Sequence, residues 1–205
     1  MSRHRFASHT PDEMRRLSNL GHLVEGSLTA AVGVLALLAT LTAAEWPNSA
    51  YAGLMAGAGV LLLILLYPRH PVSDWGAIWR DPQQREHTIM ATALVLAGVA
   101  ELVAAGRPPL GFTWPAALVL IGLLFLTHAQ HGSGEAMAQA VRRHRWIGAS
   151  GIAAGVLRFL SVLRPAVVWD VLWAVAVLAV AAQLLLYREP EGAFEVADAS
   201  HHGGH

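Results

Sequence analysis

Six apolar runs alternate with short polar segments along the chain, at about residues 20–43, 51–67, 88–105, 112–130, 146–163 and 166–187. Each comes near the roughly 20 residues a helix needs to cross a hydrocarbon core of ~30 Å. Backbone groups cannot stay unpaired in such a core, so runs of this length predict membrane-spanning helices. The pattern predicts an all-α polytopic bundle of six transmembrane helices over 20–187, with an N-terminal cytoplasmic and interfacial segment, 1–19, before it. Within that segment Thr10, Pro11 and Glu13 form a capping box, which predicts a short interfacial helix leading into the first span. The tail, 188–205, is polar, acidic and glycine-bearing, and is expected to be a disordered cytoplasmic segment.

Composition agrees with the pattern. Of 205 residues, 55% are hydrophobic and 14% charged, with a mean hydropathy of +0.46, too few charges for the surface of a soluble domain of this size. The first run has no small-residue cleavage site, so no removable signal peptide is expected. Cysteine is absent, which excludes disulfides, thiolate metal sites and iron–sulfur clusters. Formal net charge is zero and no basic patch is interleaved with aromatics, so nucleic acid is not an expected partner.

All cationic side chains other than histidine are arginine. Arg3, Arg5, Arg15 and Arg16, the arginines of the 68–87 and 131–145 segments, and Arg188 fall on one side, against Arg107 and Arg164 on the other. The positive-inside rule then puts both termini in the cytoplasm, and the protein is expected in the cell's inner (plasma) membrane. Trp46, Trp114 and Trp169 mark one interface, and Trp75, Trp79 and Trp146 the other.

An internal pattern links the odd-numbered helices. His22, His87 and His144 are each followed eleven residues later by Gly-Val, at Gly33, Gly98 and Gly155. Tyr67, Thr127 and Tyr187 end the even helices at intervals of 60 residues, so three repeated helical hairpins are one reading of the chain. Odd helices begin, and even ones end, at the cytoplasmic face. His22, His87, His128, His131 and His144 therefore belong to one layer near that boundary. On a helix, positions three apart share a face, which pairs His128 with His131 and His22 with Glu25. Imidazole with carboxylate suits zinc, iron, nickel or copper. Taken singly, each histidine also suits an interfacial residue that bonds a carbonyl or headgroup.

Glu101 and Arg158 each lie fourteen residues beyond their helix's histidine, about 21 Å deeper at the helical rise, and form a candidate intramembrane ion pair. Gly53 with Gly57 and Gly151 with Gly155 match GxxxG, and packing inside the bundle is expected of them.

The segments Gly21-His22 to Gly26-Ser27, His87 to Met90 running on to Gly98 and Glu101, and Phe125-Leu-Thr-His128 with His131 and His144 resemble, in order, motifs of the TMEM45 (DUF716) family of multi-pass membrane proteins. The resemblance spans about residues 20–150 and implies that the histidines act as a unit. It names no reaction, and Glu25 has no counterpart in the family's pattern.

Together these features point to an integral membrane protein with a transition-metal site, zinc, iron or copper, at His22, His87, His128, His131 and His144. An enzyme of that kind would act on a lipid-like small molecule reached from the bilayer. Two alternatives stand beside it: a b-type haem electron-transfer protein using two of the same histidines, and a transporter or structural subunit resting on Glu101 and Arg158. Ser27 and Thr88 lie near the histidine layer without the partners of a catalytic triad.

Overall fold

The protein is described from a computed structural model that covers residues 10–42, 46–66, 75–104, 108–128 and 134–194. These residues form helices α1 (Pro11–Thr42), α2 (Trp46–Leu66), α3 (Trp75–Arg80), α4 (Pro82–Val103), α5 (Thr113–Thr127), α6 (Gly134–Leu163) and α7 (Val167–Leu186). A 3-10 turn, Pro108–Phe112, leads into α5, and no strand occurs among the described residues. Five segments are long and apolar enough to cross a membrane: Pro11–Thr42, Gln84–Val103, Leu110–Thr127, Gly134–Leu163 and Val167–Leu186. The apolar part of α2, Asn48–Ile64, falls short of that length. Many large apolar side chains face outward, Leu41 and Leu186 at 69% and 79% exposure. Such a surface suits a bilayer and would be costly in water.

Three boundaries differ from the sequence reading. The expected interfacial helix and first span are one helix of 32 residues, about 48 Å long. The capping box holds its start, with the Thr10 amide donating to Glu13 at 2.8 Å and the Glu13 amide to the Thr10 hydroxyl at 3.3 Å. Nothing between Glu13 and Gly21 breaks the helix, and a single glycine does not end it. Second, α5 stops at Thr127 and His128 turns to an extended backbone, φ −55° and ψ 124°. The helical spacing that paired His128 with His131 therefore does not apply, and His131 itself lies outside the described residues. Third, residues 188–194 of the expected tail fold back on α1. The Glu189 amide donates to Asn19 at 2.7 Å, Ser18 donates to the Glu189 carboxylate at 3.0 Å, and Ala193 is buried.

The six long helices close into a ring. In order around it, α1 packs on α2, α2 on α4, α4 on α5, α5 on α6, α6 on α7, and α7 back on α1. Close approach depends on glycine at three seams. A Cβ on Gly33 would meet Leu178 of α7 at 2.8 Å, one on Gly98 the Ala56 amide of α2 at 2.5 Å, and one on Gly155 the Pro115 carbonyl of α5 at 2.9 Å. Small residues admit backbone-to-backbone van der Waals contact where no hydrophobic drive exists between helices. Gly53 and Gly57 behave otherwise, because nothing lies within 4 Å of either Cβ position. Their GxxxG stripe faces out of the bundle, contrary to the packing expected of it.

Gly98→Ala should accordingly destabilise the bundle by about 1–3 kcal/mol through overpacking, while Gly53→Ala should stay within about 0.5 kcal/mol of the parent. Unfolding midpoints of the two variants in one detergent decide the matter, and equal midpoints would contradict the packing described.

Candidate functional site

The ring encloses a cavity of about 500 Å³, within the size range of small-molecule sites. Its body is apolar, lined by Val32, Met55, Leu94, Trp114, Leu118 and Val177 among others. Four of the five sequence-selected histidines, His22, His87, His128 and His144, lie together at its polar end. They come from α1, from α4, from the residue capping α5, and from α6.

Their rings form a chain of contacts. His87 and His128 have centroids 4.8 Å apart, His128 and His144 5.3 Å, and His144 and His22 5.7 Å. His22 stacks on Tyr187 at 4.1 Å. His128 and His144 are buried, and His22 and His87 half-buried.

Hydrogen bonds fix the tautomer of three rings. His22 Nδ1 is 2.8 Å from the Ser18 carbonyl and His144 Nδ1 2.9 Å from the Ala140 carbonyl. A carbonyl only accepts, so each Nδ1 carries the proton and, in the neutral ring, leaves the Nε2 lone pair open. His128 Nδ1 meets the Glu86 carboxylate at 2.7 Å, the carboxylate–histidine arrangement that orients metal-ligating imidazoles. Two imidazoles on one metal, with ring nitrogens at about 2.0–2.1 Å from it, would have centroids about 5 Å apart, a separation comparable to that of neighbouring rings in this chain. As they stand, no three His, Asp or Glu side chains among the described residues are arranged to hold one. Ligation therefore requires the rings to turn toward a common point.

Glu25 lines the same end of the cavity. Ser27 faces outward and donates to the Leu23 carbonyl, and Thr88 donates to the Gln84 carbonyl. Both hydroxyls are thus engaged by their own helices.

Beyond the inner end of the cavity lies a second polar group. Arg158 donates through Nη2 to Glu101 at 2.7 Å and through Nη1 to Asp170 at 3.5 Å. Tyr51 donates to the same Glu101 oxygen at 2.6 Å, and Ser161 donates to Asp170. The guanidinium also lies over the Trp173 ring, 4.9 Å from its centroid. One cation thus serves two carboxylates, while the other Glu101 oxygen and Arg158 Nε have no partner among the described residues.

Sequence reasoning missed Glu86, Tyr51 and Asp170. Asp170 had a usable signal, being a carboxylate within an apolar run. Glu86 had none, since 42 residues separate it from His128. No protein-family model and no curated protein matches the chain.

Arg158→Met should cost about 3–5 kcal/mol, because it strands two carboxylates in a low-dielectric site. Adding Glu101→Gln and Asp170→Asn should recover most of that loss. Thermal unfolding of the single and triple variants checks this, and a single variant as stable as the parent would show that the arginine does not hold the helices.

Proposed function

We propose that this is a six-span protein of the inner (plasma) membrane, with both termini in the cytoplasm, that binds one transition-metal ion at its cytoplasmic end and acts there on a lipid-like molecule. The observation that carries the reading is the convergence of His22, His87, His128 and His144 from separate parts of the chain on the polar end of one cavity. Four imidazoles and no thiolate suit zinc, iron or copper. Ionisable groups at membrane depth are expensive and tend to be retained for function.

In this reading His22, His128 and His144 present Nε2 because a carbonyl or carboxylate holds each Nδ1 proton. Glu86 orients His128. The apolar walls hold a tail and exclude water from the histidine end. A bound ion would supply Lewis acidity toward a carbonyl oxygen and an activated water. Arg158 and Glu101 keep a structural role, tying helices beyond the cavity. The motif order shared with the TMEM45 (DUF716) family, and three repeated helical units that reuse the His-Gly spacing, belong to the same proposal.

Elemental analysis and an optical spectrum of detergent-purified protein, with and without residues 201–205, provide the test. Near one zinc, iron or copper per chain without a Soret band is expected in both forms. A Soret band would replace the metal site with haem, and no metal after reconstitution would leave four interfacial histidines. His87→Ala and His128→Ala should lower metal affinity non-additively, as ligands of one ion do. Glu86→Gln, acting through His128, should lower it about 10–100-fold, and an unchanged affinity in Glu86→Gln would remove that carboxylate from the site.

A further inference from the structure

The cavity has two unlike ends. Val32 and Ala154 line its inner end, each ten residues beyond the histidine of its own helix, so the apolar part is about 15 Å deep along the helix axes. Leu20 of α1 and Leu61 of α2 line the cavity and are also exposed, at 55% and 36%. Entry of an occupant dissolved in the bilayer is placed beside these two side chains, between α1 and α2.

The charge at the polar end selects among such occupants. Glu25 and Glu189 line it, and Glu86 stands behind His128. No arginine lines the cavity among the described residues, and the chain has no lysine to offer. A single divalent ion would neutralise two of the three carboxylates. Arg143 stands over the Tyr187 ring but outside the lining, so the charges that a carboxylate or phosphate headgroup meets inside the cavity are those of the carboxylates, and like charges at close range cost several kcal/mol.

From this we infer that the cavity takes a single-chain lipid whose headgroup is uncharged, an amide, ester or alcohol, with the head among the histidines and the tail running toward Val32 and Met55. The inference rests on the histidine end being the working end, as proposed above, and it adds the substrate class.

The test is photolabelling of the full chain in phosphatidylcholine nanodiscs with two probes of equal tail length, dodecanamide and dodecanoate, each with a diazirine at the terminal carbon. Peptide mapping reads the labelled residues. Dodecanamide is expected to label the inner end, at Met55 or Trp114, at least about tenfold more than dodecanoate does at neutral pH, while both label the outer wall alike, for example at Leu163. Glu25→Gln should raise inner-end labelling by dodecanoate relative to that by dodecanamide. Labelling confined to the outer wall, or equal inner-end labelling by the two probes in the parent protein, would overturn the inference. Repeating the experiment on chelator-treated protein separates the two proposals: inner-end labelling that persists in a chain with no metal affinity would sink the metal site and keep the lipid site.

Discussion

One guanidinium ties four of the six long helices at one end of the ring. Arg158 on α6 reaches Glu101 on α4 and Asp170 on α7, with Tyr51 on α2 bonded to the same Glu101 oxygen. Burying such groups in a low-dielectric medium is unfavourable in isolation, so the arrangement persists only while all members keep their partners. That condition fixes the rotation of those four helices about their own axes. Apolar contacts alone would not do so, because these helices are apolar on every side and lipid competes equally for every face. His87 and His144 at the opposite end are positioned as a result, since α4 and α6 are two of the helices whose angle is set in this way.

Packing along the seams converts that fixed rotation into a hollow. The glycines at 33, 98 and 155 draw α1, α4 and α6 against α7, α2 and α5, bringing pairs of backbones into contact at the periphery. Six helices held edge to edge in this way leave a centre that Met55, Leu94, Trp114 and Val177 line without filling. The hollow follows from one choice, the placing of small residues at seams rather than at the centre.

What could be read from the chain divides along the same lines. The all-helical character follows from the apolar runs, and the rise per residue is enough to group His22 with His144 and Glu101 with Arg158, pairs that meet in the structure. Rotation about the axis was not legible, because a run such as that of α2 has no polar face to orient it. Gly53 and Gly57 were accordingly expected inside and lie outside. The end of α5 was also hidden. His128 leaves the helix where it meets Glu86, a contact between residues far apart in sequence that no local signal announces. Residues 188–194 look like solvated tail by composition, yet Ser18 and Asn19 offer hydrogen bonds that hold Glu189 against α1.

The closure of the ring by α1 against α7 has a consequence for biosynthesis. Helix α1 is made well before α7, and Gly26 and Gly33 have no seam partner until Leu178 and Leu185 arrive. Everything made in between assembles as an open arc. The cavity, and with it the grouping of His22 with His144 and Tyr187, comes into being only when translation has passed residue 187. A ribosome that stops short leaves a membrane-inserted chain with its histidines unassembled, so an incomplete product holds the site's residues without the site.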